Sequence, residues 1–210
     1  MSLKTLGCSV LLAALATFAV LLQDTAEAQS NRQRMEAEAN FTVKGTEGCL
    51  ACHGGESMAI VGESPHGNTD NPHSPYSLQG CESCHGPGSV HVSRAGGGAG
   101  YPKLLSFKTE DNIPEQNAAC LGCHAEALGE LEGMAWTGSL HDAGGLNCGA
   151  CHDSHTLENP MANISLQQEN CAGCHAEQID AHPRFESAGI NFDQLSCYTC
   201  HDVHQLTSKE

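Results

Sequence analysis

The sequence predicts a chain of short α-helices and loops with little or no β-sheet, wrapped around bound groups instead of an apolar core of its own. Three observations lead there. Aromatic residues make up 4% of the 210 residues, glycine occurs 23 times, and no sustained apolar periodicity marks a conventional core. Cysteine and histidine are both abundant, at thirteen each. Twelve of those cysteines fall into six copies of Cys-x-x-Cys-His.

The copies are Cys49-Leu50-Ala51-Cys52-His53, then Cys81, Cys84 and His85, Cys120, Cys123 and His124, Cys148, Cys151 and His152, Cys171, Cys174 and His175, and Cys197, Cys200 and His201. One Cys-x-x-Cys is ambiguous, since zinc ribbons and thioredoxin-like redox sites share the spacing. Six copies, each followed at once by histidine, carry the attachment signature of c-type haem. Two thiols three positions apart can each add to a vinyl group on one porphyrin edge, and the adjacent imidazole then lies under the iron. The motifs therefore predict six covalently bound haem c groups, and the porphyrin faces supply most of the buried apolar surface.

Taken in chain order, residues 1–28 read as a secretory signal peptide: Lys4, an apolar run from Leu6 to Leu22, and Ala26-Glu27-Ala28 ahead of a cut before Gln29. Cys8, the one cysteine outside the motifs, leaves with it. An exported chain suits the motifs, because haem is attached on the outer side of the cytoplasmic membrane. The location expected is periplasmic, with extracellular or outer-membrane-associated placement as the alternative, and no membrane span in the mature chain. Residues 29–44 form a polar tail without a motif. The hexahaem domain spans 45–210 and divides into three haem-pair repeats, about 45–93, 115–158 and 165–206. A Gly-rich connection covers 94–112. Helices are expected at Glu115 to Glu132 and Ser165 to Asp180, where good helix formers surround a motif, with Ser165 and Gln168 as a capping box.

The formal charge is −16, and −15 once Lys4, Asp24 and Glu27 leave with the signal segment. Such acidity excludes nucleic acid as a partner and favours a basic docking protein.

Seven histidines lie outside the motifs: His66, His73, His91, His141, His155, His182 and His204. Six irons with two imidazoles each need six of them. The recurrence of a histidine between the motifs of a repeat and another just after the second motif selects His91, His141, His155, His182 and His204. His66 and His73 compete for the last place, and His66 is preferred. His155 is too close to His152 to reach the far side of the same iron. The simplest scheme exchanges ligands inside each repeat: His155 to the iron of His124, His141 to that of His152, His204 to that of His175, His182 to that of His201, His91 to that of His53 and His66 to that of His85. Irons so saturated offer substrate no open position, which suits electron transfer.

The stretches Cys81-Glu82-Ser83-Cys84-His85-Gly86-Pro87-Gly88-Ser89-Val90-His91, Trp136-Thr137-Gly138-Ser139-Leu140-His141 and Cys151-His152-Asp153-Ser154-His155 resemble the periplasmic multihaem cytochromes of the MtrA/DmsE type. That resemblance implies closely spaced haems acting as a wire between redox proteins: a quinol-linked cytochrome as donor, and an outer-membrane or terminal-reductase acceptor. With six motifs the chain is shorter than the decahaem members, so a periplasmic shuttle fits better than a conduit inside a porin. Two other readings stand beside it. One is a self-associating filament subunit or conduit component, kept in view by the spare His73. The other is a reductase of nitrogen or sulfur oxyanions with one open iron, against which stand the full histidine complement and the lack of any Cys-x-x-Cys-Lys variant.

Overall fold

The structure is a computed structural model that describes residues 33–34, 39–93, 103–108, 111–130, 136–183, 189, 191 and 194–204. The signal segment 1–28, most of the tail 29–44 and residues 94–102 of the connection lie outside them. Among the described residues there is no strand. Helices α1 (Gly45–His53), α2 (Glu56–Glu63), α3 (Pro75–Leu78), α4 (Glu82–His85), α5 (Ser89–Ser93), α6 (Ile113–Glu130), α7 (Leu140–Ala143) and α8 (Ile164–Asp180) follow one another, with 3-10 turns at Pro65–Gly67, Cys148–Ala150, Pro160–Ala162 and Cys197–Thr199. No described helix is long and apolar enough to cross a membrane.

The backbone forms two compact bodies, Met1–Val43 with Pro87–Leu104, and Lys44–Gly86 with Leu105–Glu210. In the smaller, Ser89 and Asn40 bond reciprocally: the Ser89 amide donates to the Asn40 carbonyl at 3.0 Å and the Asn40 amide to Ser89 Oγ at 2.8 Å. This pins the start of α5, which carries His91.

The larger body holds all six motifs, and its helices start where side chains can take up the orphan amides of a first turn. α7 begins at Ser139, whose buried Oγ accepts from the Asp142 amide at 3.1 Å, while the Asp142 carboxylate accepts from the Gly138 amide at 2.7 Å. α8 begins at Asn163, whose Oδ1 accepts from the Leu166 amide. The cap is therefore Asn163 and not the expected Ser165, which sits one position inside the helix. Asn163 also donates to Glu158 Oε1 at 3.0 Å, a second bond that fixes its side chain for capping. At His175 the backbone of α8 leaves helical geometry, with φ −110° and ψ 23°, so the helix kinks at a motif histidine.

Trp136 is the one buried apolar side chain among the described residues, and the other buried side chains are polar: Ser64, Ser74, Glu82, Gln116, Asn117, Ser139 and Gln167. Leu140 and Leu157 stand exposed. Packing between apolar side chains is thus not what holds this body together. Hydrogen-bonded polar contacts and close backbone approaches set its local geometry. At Gly67, beside His66, an added Cβ would run into the carbonyl oxygen of Val61 in α2, so glycine lets that turn close on the helix.

Candidate functional site

The motif cysteines form no disulfides with one another, and among the described residues no group of three or more His, Cys, Asp or Glu side chains converges as a tetrahedral zinc site requires. They meet across motifs instead. Burial, then the charge and hydrogen bond of the Cys81 thiol, hold Cys49 up at about 11. Burial and Cys197 do the same to Cys171, also to about 11. The Cys120–Cys148 hydrogen bond, with burial added, raises Cys120, while the same bond lowers Cys148 to about 7. Inside each repeat, then, the first cysteines of the two motifs are neighbours. Between repeats the second cysteines take over: burial and then Cys123 raise Cys84, and Cys151 is raised chiefly by burial, with Cys174 adding to it. Successive motifs are neighbours in chain order from Cys49 to Cys200.

Polar side chains three or four residues ahead of each first motif set this register, buried at Gln116, Asn117 and Gln167. Gln116 accepts from Asn147 Nδ2, and Asn117 Oδ1 accepts from the Cys148 amide at 3.0 Å. In the third repeat Gln167 Oε1 accepts from Ser196 Oγ at 2.8 Å and from the Cys197 amide at 2.7 Å. The first repeat has Thr46 in the place of Asn117. Its hydroxyl lies where a Cβ of Gly80 would be, and Gly80 has φ +60°, so glycine serves there twice over.

Five of the seven histidines outside the motifs face motif histidines. His66 meets His124 with ring centroids 6.1 Å apart, His155 meets His85 at 6.3 Å, His141 meets His175 at 6.1 Å, His204 meets His152 at 6.2 Å and His182 meets His201 at 6.0 Å. The geometry keeps the expected exchange at His182 and His201 and departs from it at the other four pairs. A histidine between two motifs faces the first motif of the next repeat, His66 to His124 and His141 to His175. A histidine just after a second motif faces the second motif of the previous repeat, His155 to His85 and His204 to His152. The cause is the contact of second cysteines between repeats, which brings each repeat's loops over its neighbour's motifs. His182, in the last repeat, has no following repeat and meets His201 within its own. His53 ends α1 in the larger body and His91 lies on α5 in the smaller; His73 is exposed, its amide donating to Asn71 Oδ1.

Several of these imidazoles are oriented through Nδ1, as metal-bound histidines commonly are. His85 Nδ1 lies 2.7 Å from the Leu105 carbonyl and His182 Nδ1 2.9 Å from that of Pro183. His152 Nδ1 is 3.3 Å from Asn159 Oδ1, and His141 Nδ1 is 3.4 Å from the Val203 carbonyl. Each bond leaves Nε2 as the nitrogen for a metal. The Nδ1 atoms of His155 and His204 are buried without a hydrogen-bond partner. Burial and then the facing imidazole lower the pKa of His66 and of His204, keeping both in the neutral form that can ligate.

The sequence reading missed Trp136, Gln116, Asn117 and Gln167 as supports, and Leu105 and Asn159 as orienting partners. A signal existed for the glutamines, since Gln116 and Gln167 each stand four residues ahead of a first motif. A carbonyl leaves no mark in a sequence.

Comparison with known proteins covers this same ground. The model for the cytochrome c-type protein NrfB-like family matches residues 81–169, that for cytochrome c3 matches 140–210, and that for cytochrome c554 and c-prime matches 16–86. The multiheme cytochrome MtrA of Shewanella baltica is 29% identical over 171 residues, 80% of this chain and 49% of its own length. The C-type polyheme cytochrome OmcB of Geobacter sulfurreducens is 28% identical over 167 residues, 75% of this chain and 20% of its own length. The chain thus spans about half of the first relative and a fifth of the second. The family models all describe c-type cytochromes and between them reach from residue 16 to residue 210, so that what the chain resembles, in its family matches and in its likeness to MtrA alike, is a multihaem c-type cytochrome.

Proposed function

We propose that this cytochrome carries electrons between protein partners through six haem c groups, each iron held between two histidines. The observation that supports this most is the spacing of the facing imidazoles. Two imidazoles bound on opposite sides of one metal ion, each at about 2 Å, have ring centres about 6 Å apart. The five pairs named above stand at 6.0 to 6.3 Å.

The residues present fit the group. Cys49, Cys52, Cys81, Cys84, Cys120, Cys123, Cys148, Cys151, Cys171, Cys174, Cys197 and Cys200 would form the thioethers. His53, His85, His124, His152, His175 and His201 would ligate from the motif side, and His66, His91, His141, His155, His182 and His204 from the other. When bound, haem iron supplies one-electron chemistry at a potential set by its axial ligands and surroundings. The chain's contribution is to place an imidazole on each side, to withhold a position from substrate and to keep successive motifs adjacent. A carrier that needs no substrate pocket is the reading this favours over a reductase. The charge of −16 suits a donor and an acceptor with basic docking faces, in the periplasm or at the outer membrane.

Intact mass tests the count and the start of the mature chain together: cleavage before Gln29 and six haems are expected, and a lower number at full attachment overturns the count. In a redox titration the purified protein should take up about six electrons over a broad low range. Steady-state turnover of nitrite, hydroxylamine or sulfite by the isolated protein would decide for the reductase reading.

A further inference from the structure

Four of the facing pairs are crossed: His66 and His124 at 89°, His182 and His201 at 81°, His141 and His175 at 79°, His85 and His155 at 73°. His152 and His204 are nearly parallel, at 19°. Something must hold the second ring there, because an imidazole ligand turns freely about its metal–nitrogen bond unless its Nδ1 is bonded or its face is packed. His152 has a bond, from Nδ1 to Asn159 Oδ1. His204 has none, and its Nδ1 is buried without a partner. What lies against His204 is the indole of Trp136, with ring centroids 6.0 Å apart and planes at 61°.

Trp136 is itself fixed. It is 9% exposed, and its carbonyl accepts from the amide of Ser139, the fully buried cap of α7. From α7, His141 reaches the carbonyl of Val203 through Nδ1, one residue before His204. On the other side, the His204 amide donates to Asp202 Oδ1 at 3.1 Å. The segment from Trp136 to His141 therefore grips both the backbone and the ring of a histidine that belongs to the next repeat.

Resting on the ligand reading above, we propose that Trp136 is a positioning residue that holds the His204 imidazole parallel to that of His152 and so gives this one iron an electronic ground state unlike that of its crossed neighbours. Each imidazole donates π-density into the iron d orbital perpendicular to its own plane. Parallel planes act on the same orbital and split the dxz and dyz pair. Crossed planes act on one each and leave the pair nearly degenerate, so orbital angular momentum survives. In the oxidised protein the parallel iron gives an ordinary rhombic low-spin EPR signal, and the crossed irons give strongly anisotropic signals with a large maximum g.

The test is EPR of the oxidised, fully loaded protein, its haem content fixed by mass. Trp136→Leu removes the flat face: it should convert one iron's worth of rhombic signal into the large-g type, with no high-spin iron appearing. Trp136→Phe keeps a flat face and should retain the rhombic signal. If the Leu variant does not fold, Trp136→Met fills the space without a flat face and carries the same expectation. His204→Ala should remove the rhombic signal and produce one high-spin iron. A rhombic signal unchanged in the Leu or Met variant overturns the role of Trp136. So does a wild-type spectrum from which His204→Ala removes only large-g signal. If His204→Ala produces no high-spin iron at all, the ligand reading itself fails.

Discussion

His155 stands three residues from His152 and faces His85, in the preceding repeat, at 6.3 Å. Its backbone is set by an Asx turn, the His155 amide donating to Asp153 Oδ1 at 2.8 Å, and the same turn recurs at Asp202 and His204. Replacing His155 by Ala should open one iron, that of His85, with a high-spin signal and carbon monoxide binding. Phe107 identifies it, since its ring packs edge-on against His85 at 5.5 Å: the hyperfine-shifted resonances of the opened haem should show contacts to Phe107. An opened iron with no such contact would restore the exchange with His124 that the sequence suggests, and an unchanged spectrum would remove His155 from the ligands. Five of the seven histidines outside the motifs could be proposed as ligands from sequence because they recur, and the short tether from His152 already directed His155 to another iron. Which iron it serves depends on how repeats pack on each other, and no local pattern carries that.

The elements follow the same division. Helix formers around a motif place helices at Glu115 to Glu132 and Ser165 to Asp180, and the structure has Ile113–Glu130 and Ile164–Asp180, because local propensity and caps decide such segments. What joins them is a set of buried amides whose partners are 29 to 31 residues away, and propensity says nothing of those. Gln167 is the clearest case: besides its two bonds to Ser196 and Cys197, it donates to the Met161 carbonyl at 3.1 Å. Replacing Gln167 by Leu takes the acceptor from the half-buried Cys197 amide and Ser196 hydroxyl, at about 1–3 kcal/mol together. The variant should melt several degrees below the parent, measured by circular dichroism on protein with full haem content. Ser165→Ala, one position inside a helix capped by Asn163, should melt with the parent. Equal melting of the two variants would show that the Gln167 bonds contribute nothing.

At the scale of the molecule, the arrangement binds each repeat to its neighbours through facing histidines while supplying almost no apolar core. A soluble domain is ordinarily stabilised by burying apolar side chains at about 25 cal/mol per Å². Here Trp136 is the one such side chain buried among the described residues. The conformational entropy of ordering the chain is about 1–2 kcal/mol per residue for the backbone alone. Buried glutamines and serines do not offset it, since a net hydrogen bond contributes only about 0.5–1.5 kcal/mol. On the proposed ligation the apolar surface comes from porphyrin faces packed between the histidine pairs, and the covalent links that would hold them also tie each pair of motif cysteines together. The chain made without haem attachment, as in a host lacking the attachment machinery, should therefore be unfolded: little helical signal in far-ultraviolet circular dichroism, no cooperative melt and rapid cleavage by protease throughout 45–210. The haem-loaded protein should resist the same protease under the same conditions. A haem-free chain with native helix content and a cooperative transition would mean that side-chain packing suffices, and would remove the reason for placing the haems at the centre of this fold.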